Sequence, residues 1–279
     1  MLYLIFAIDL KALTTILILF AANALFAQKN SLWVSSGYFY GDAKSKPPTD
    51  LTWGKSKSYT LGSGTNTQLS FQHQPDSSNW MFGTGLNLLI GNRNIVRSQI
   101  GENDTLKTAT YTTNSVRLIL QFGYLWTIKR LNFQLNAGLI IPITTQIKSE
   151  ISYKDSLKNS TETALLKNYF SVGFRSSLVC TYRISKKVHF FVSLNQILLN
   201  SKVRKKTITG YQSSNQQDFN ALYPNVSDKE TLYIKDVMQV RNNPLLLPNS
   251  FQKNQPTEQL SYSQSYSSIG FQFGFQFLF

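Results

Sequence analysis

From residue 28 onward, apolar and polar residues alternate with a period of two, in segments of about ten residues separated by polar turns. No stretch carries a long helical period. The last segment is the clearest. Ile269, Phe271, Phe273, Phe275, Phe277 and Phe279 fall on one face, and Gly270, Gln272, Gly274, Gln276 and Leu278 on the other. Residues 115–126, 131–143 and 170–182 repeat the pattern, as do residues 80–90 with one apparent phase slip near Gly83. Residues 32–40, 59–73 and 188–198 alternate more weakly. The pattern predicts an all-β chain of eight strands.

The composition of the two faces says what kind of β-structure this is. A soluble sandwich buries its apolar face and puts charge on the other. Here the polar faces hold Gly, Asn, Gln and Ser with an occasional Arg, and almost no Lys or Glu. That suits a hydrogen-bonded barrel interior whose apolar exterior meets lipid. In a bilayer every backbone group must be satisfied, so strands cross only as a closed barrel. Aromatics gather at strand ends (Trp80, Tyr124, Trp126, Tyr182, and Tyr38 with Tyr40), where interfacial girdles lie.

The connections alternate strictly between long and short. Residues 75–79, 127–130 and 185–187 are short, and residues 41–57, 92–110, 145–167 and 200–262 are long. The fold expected is a transmembrane, antiparallel, up-and-down β-barrel of eight strands. Its tight turns would lie in the periplasm and its long loops outside. A ten-strand barrel results if residues 231–240 pair with an upstream segment as an extra hairpin. The other reading of the same loop is a short helix running to Val240 from the capping-box spacing Ser227-Asp228-Lys229-Glu230.

Residues 1–27 are read as a signal peptide, leaving 28–279 as the barrel domain. The apolar run 12–27 follows Lys11 and is shorter than the ~20 residues a spanning helix needs. Ala22-Asn23-Ala24 fits an A-x-A cleavage pattern. A cut between Ala27 and Gln28 is preferred, because residues 25–28 resemble the signal ends of exported Bacteroidota proteins. The alternative is an uncleaved anchor helix. The export end, the paired long and short connections and the Phe-rich strand 271–279 together carry a resemblance to small outer-membrane β-barrels of the OmpA/OmpX-like type in the Bacteroidota style. It covers essentially the whole chain after the signal peptide, except that the last loop is longer than in the small members. The resemblance implies integral location in the cell outer membrane and insertion by the barrel-assembly machinery. It also implies that Phe275, Phe277 and Phe279 form the assembly signal. It is architectural and passes on no activity.

Composition narrows the function classes. The chain of 279 residues has 28 Lys and Arg against 14 Asp and Glu, a net charge of +14, with only 15% charged residues. The single cysteine, Cys180, excludes an intramolecular disulfide and multi-Cys zinc sites. The basic excess lacks the aromatic-interleaved stripe of a nucleic-acid binder, and no nucleic-acid partner is expected. Instead, Lys129-Arg130, Lys186-Lys187 and Lys202, Arg204, Lys205 and Lys206 are expected to meet anionic lipid head groups and lipopolysaccharide at the two rims. No acid lies in a predicted strand. Arg117 and Arg175, on polar faces, are candidate lumen charges, either plugging the barrel or attracting anions.

No enzyme is expected, and no catalytic, cofactor or metal residues are assigned. The histidines are His73 and His189. His189 and Ser193 share a strand face but stand roughly 13 Å apart by strand rise, with no acid in that strand, so a Ser-His-Asp triad is poorly supported. A lipid-modifying barrel enzyme is therefore the weakest of three readings. The favoured one is a monomeric structural, interaction or adhesion-type surface protein. Its partners are unidentified, and Leu245, Leu246 and Leu247 are candidate loop contacts that either pack on the barrel mouth as a lid or touch a partner. The remaining reading is a small porin-like channel for anionic or small polar solutes.

Overall fold

The computed structural model describes residues 29–42, 60–75, 78–100, 105–154, 159–214 and 218–279. The signal-peptide reading and nearly all of the first long loop lie outside the described residues.

Eight strands close a barrel. They are β1 (Lys29–Gly41), β2 (Gly64–Gln74), β3 (Trp80–Gly91), β5 (Thr105–Ile128), β6 (Leu131–Lys154), β8 (Gly173–Arg183), β9 (Val188–Leu198) and β14 (Ser268–Leu278). Every neighbouring pair is antiparallel, and the last seam joins β14 to β1 over Ser31↔Leu278 to Gly41↔Ser268. Closure leaves no strand edge in the wall, which is why the barrel needs no covering layer. No helix among the described residues is long and apolar enough to cross a membrane.

The alternation decides which side chains point where. In β14 Ser268, Gly270, Gln272, Gly274 and Gln276 are buried inward, while Ile269 and the four phenylalanines between Phe271 and Phe277 are exposed outward. The β3 register with β2 and β5 runs without a break, so the expected phase slip near Gly83 is absent; Thr84 is simply a small residue on the outward face. Glycine is required where strands approach closely on the inside: a Cβ on Gly274 would sit 2.0 Å from the Val34 carbonyl oxygen. Gly64, at φ 150°, starts β2 in a backbone conformation L side chains rarely adopt.

One end carries only short turns. A two-residue turn with Lys129 at φ 55° joins β5 to β6, and residues 184–187 join β8 to β9. Aromatics ring this end on the outside. Trp80 meets Tyr124 edge-on at 5.3 Å, and Trp126 stacks on Phe133 at 6.0 Å. Tyr38 and Tyr40 mark the opposite end.

At that opposite end the described residues of the three later long connections form further strands. Strands β5 and β6 each run for 24 residues, far past the rim. They are flanked by β4 (Asn94–Ile100) and β7 (Asn159–Asn168), then by β10 (Asn200–Ser213), β11 (Glu230–Ile234) and β12 (Thr257–Leu260), in the order β12-β11-β10-β7-β6-β5-β4. We refer to this as the raised sheet. The β13 strand (Ser263–Ser265) returns from it and pairs with the start of β10. Thr231 and Leu232 do pair with an upstream strand, β10, but above the rim, so the wall keeps eight strands rather than ten. The helix expected to run to Val240 does not form. A single turn, Val226–Lys229, is capped by Asn225 and Asp228, and Glu230 then enters β11. Pairing of Glu230, Thr231 and Leu232 with Thr207, Lys206 and Lys205, and a 2.7 Å ion pair between Lys205 and Glu230, hold the segment extended.

Candidate functional site: a sealed lumen beneath a raised sheet

The inward rows build a lumen with three levels. At the short-turn end lies a cavity of ≈ 610 Å³ lined by Arg183, Lys186, Lys187 and His189 among others. The His189 imidazole is buried, with Nδ1 3.2 Å from Gln276 Oε1 and Nε2 without a partner among the described residues. His189 thus faces the lumen rather than the outer interface, while His73 lies on another strand, and no group of three or more His, Cys, Asp or Glu that could hold a metal occurs among the described residues.

In the middle the lumen shrinks to a void of ≈ 20 Å³. Trp33, 4% exposed, lies against Phe191 with ring centroids 4.5 Å apart. Around them polar groups bond across the barrel. Gln134 Nε2 donates to Gln72 Oε1 at 3.2 Å and also to Asn136. Asn136 donates to Ser177 Oγ at 3.1 Å, and Gln272 Nε2 to Asn66 Oδ1 at 2.9 Å. Arg175 is part of this network. Its guanidinium donates to Gln121 Oε1 at 3.1 Å and to Asn195 Oδ1 at 2.5 Å. Two neutral amide acceptors replace a carboxylate partner, so the cation is held by hydrogen bonds alone.

Arg117 differs. It is 1% exposed, its Nε donates to Ser115 Oγ at 3.4 Å, and Nη1 and Nη2 have no partner among the described residues. An apolar cluster that includes Phe39, Leu61, Ile119, Ile140, Ile197, Leu199 and Tyr266 occupies this part of the barrel interior. The segment after β13 is stitched into this cluster, with Tyr266 N–H on the Leu199 carbonyl at 2.8 Å and Leu61 N–H on the Ser265 carbonyl at 3.2 Å.

The raised sheet carries the acids. Glu150, Glu162, Glu230 and Glu258 sit in its strands, so the expectation that acids avoid strands holds for the wall only. Glu162 accepts from Lys206 Nζ at 2.8 Å and from Tyr223 Oη at 3.1 Å. Burial first, and then the Glu162 charge, push the Tyr223 phenol above its ordinary range. Lys205 and Lys206 are therefore spent on internal ion pairs, while Lys202 and Arg204 remain exposed.

Leu245, Leu246 and Leu247 are 87%, 55% and 38% exposed, so they form no lid on the barrel mouth. They are nonetheless held in place. The buried Asn242 amide donates to the carbonyls of Gln252, Gln255 and Pro256 at 2.9–3.2 Å and accepts from Gln252 N–H at 2.7 Å. Asn243 Oδ1 accepts from the Leu245 and Leu246 N–H groups, and its Nδ2 donates to the Glu258 carbonyl at 2.7 Å. Nothing in the spacing of Asn242 and Asn243 announced this clamp. At the far end, Phe275 packs edge-on to Phe190, and Phe279 lies 6.1 Å from Phe71 while exchanging backbone bonds with Asn30.

No protein-family model matches the chain, and neither does any curated protein sequence.

Proposed function

We propose that the protein is an integral outer-membrane β-barrel that serves as a sealed anchor for a raised, surface-exposed interaction platform. The carrying observation is the ≈ 20 Å³ constriction in the middle of the lumen, closed by the Trp33–Phe191 contact and the amide network around Arg175. A barrel of eight strands has room inside for side chains and little else. The outward band of exposed Ile, Leu, Val and Phe, ringed by aromatics at one end, supports a lipid-facing exterior. The likeness to small outer-membrane barrels, with Phe275, Phe277 and Phe279 as an assembly signal, belongs to the same reading.

Above the rim the platform offers an ordered apolar trio, Leu245–Leu247, on a loop clamped by Asn242 and Asn243. Exposed apolar side chains on a rigid frame suit protein contact, because little entropy is lost on binding. The exposed Lys202 and Arg204 suit lipopolysaccharide phosphates at the outer rim. The porin-like reading loses its support at the constriction, and no enzymatic role is proposed.

Orientation is testable in intact cells with a membrane-impermeant maleimide and single-cysteine variants in a Cys180→Ser background. Leu246→Cys labels and Lys186→Cys does not. Labelling of Lys186→Cys with protection of Leu246→Cys overturns the proposed orientation.

A further inference from the structure

The cavity at the short-turn end is the roomiest part of the lumen below the seal. Trp33 lines both this cavity and the ≈ 20 Å³ constriction, so the space is a blind socket of ≈ 610 Å³. That volume falls in the range of small-ligand pockets. Its charge is one-sided. Arg183, Lys186 and Lys187 line it and are exposed, and no Asp or Glu among the described residues does. The Phe279 α-carboxylate is the one anionic group at its wall, and it forms no ion pair with these cations. All four ion pairs among the described residues lie at the raised-sheet end.

The fold fixes where these cations stand. Arg183 continues the inward row of β8 through Arg175, Ser177, Val179 and Thr181, so it rises from the lumen side of the wall and not from the lipid side. Its N–H bonds to the Arg130 carbonyl at 3.2 Å. Lys186 and Lys187 lie in the β8–β9 turn, whose backbone is fastened. Ser185 Oγ accepts from the Lys187 and Val188 N–H groups at 3.3 and 3.0 Å. The Lys187 carbonyl accepts from the Leu278 N–H at 2.9 Å, which ties the turn to β14. Elsewhere on the same cavity wall, Thr127 and Asn132 face each other across the β5–β6 pair; Thr127 is exposed and Asn132 half-buried. Lys129 and Arg130, at the same end of the barrel, do not line the cavity.

Cations of one sign around a concave, low-dielectric site focus a positive potential into it. A guanidinium fork beside two ammonium groups matches the terminal oxygens of a phosphate monoester better than it matches a lone carboxylate. Thr127 and Asn132 offer donors and acceptors to a hydroxylated remainder. We propose that this socket binds a small phosphorylated polyol, with its phosphoryl group at Arg183, Lys186 and Lys187 and its hydroxyls toward Thr127 and Asn132. Phosphate-monoester lipids share the head chemistry, but the closed wall stands between Arg183 and the outward apolar face, so the ligand is assigned as soluble. Binding does not depend on the anchor reading; only the compartment that the socket faces rests on the proposed orientation.

The test is isothermal titration of glucose 6-phosphate into the refolded protein in non-ionic detergent at low salt, with heat-modifiable gel mobility confirming the fold of every sample. Saturable one-site binding is expected, weakening as salt is raised, and glucose should not bind. Arg183→Gln should weaken binding at least about tenfold, as should Lys186→Gln combined with Lys187→Gln. The two turn lysines are exposed, so that pair supplies the test should Arg183→Gln fail to fold. Lys129→Gln combined with Arg130→Gln removes the same charge from the same end without touching the cavity, and should leave the affinity nearly unchanged. Absence of binding, equal binding of glucose, or equal losses from the two double variants overturns the inference. Binding of lysophosphatidic acid in place of glucose 6-phosphate overturns the assignment to a soluble ligand. Conductance through the wild type would contradict the sealed-anchor reading and leave this titration readable.

Discussion

Replacing Phe273 by arginine tests the outward face at its most sensitive point. Phe273 is 61% exposed and lies midway along the outward row of β14 between Ile269 and Phe277. Phe277, 39% exposed, lies four residues nearer the short-turn end. At a rise of about 3.4 Å per residue, four residues span about 14 Å along the strand. With the roughly 40° tilt of such barrels this is about 10 Å along the membrane normal. An arginine on the lipid face costs about 2–4 kcal/mol at the midplane and about 0–1 kcal/mol near an interface. Both variants lose a phenylalanine, so the aromatic contribution largely cancels in the comparison. Phe273→Arg should therefore be about 2–3 kcal/mol less stable than Phe277→Arg. Reversible guanidinium unfolding in lipid vesicles, followed by tryptophan fluorescence, measures both. Equal destabilisation at the two positions would refute the claim that this face lies in a bilayer.

Three further outcomes follow from the same geometry. Trp33→Ala removes the larger half of the ring pair at the constriction. It should cost about 3–5 kcal/mol in unfolding free energy and introduce small conductance steps in planar bilayers. Deleting Phe279 removes its two backbone bonds to Asn30 and its contact with Phe71 at the β14–β1 seam, and should lower the heat-modifiable fraction in isolated outer membranes; a normal level counts against the assembly role. The raised Tyr223 pKa means that its protonated form is favoured in the folded sheet. That stability is complete below the ordinary phenol value of about 10 and is lost as pH rises above it. Limited proteolysis should therefore cut the raised sheet faster in alkali, and Tyr223→Phe should blunt that acceleration.

The wall was legible in the sequence because a barrel strand has one environment on each face. Phe271 to Phe277 against Gln272, Gly274 and Gln276 is a period-two signal that no helix can imitate. The raised sheet was not legible, because its strands lack that contrast. In β10 the run Lys205-Lys206-Thr207 alternates nothing, and its extended form comes from partners far away in sequence, Glu162 and Glu230. The threonines at 108, 110, 112 and 113 offered a β-propensity hint that β5 runs past the rim. Arg117 and Arg175 were recognisable as lumen residues from their phase alone. That Arg175 would find Gln121 and Asn195 while two of the Arg117 nitrogens find no partner among the described residues depends on cross-barrel geometry. Likewise the leucine trio could be seen as exposed or packed only once the Asn242 clamp was known, since three leucines between prolines fit either outcome.

The central claim is that the lumen is sealed, and planar-bilayer recording of the refolded protein tests it most directly. Heat-modifiable mobility should confirm that the barrel is folded in the sample applied. The account predicts a silent bilayer for wild type. Steady, large openings from folded wild-type protein would contradict it and restore the channel reading.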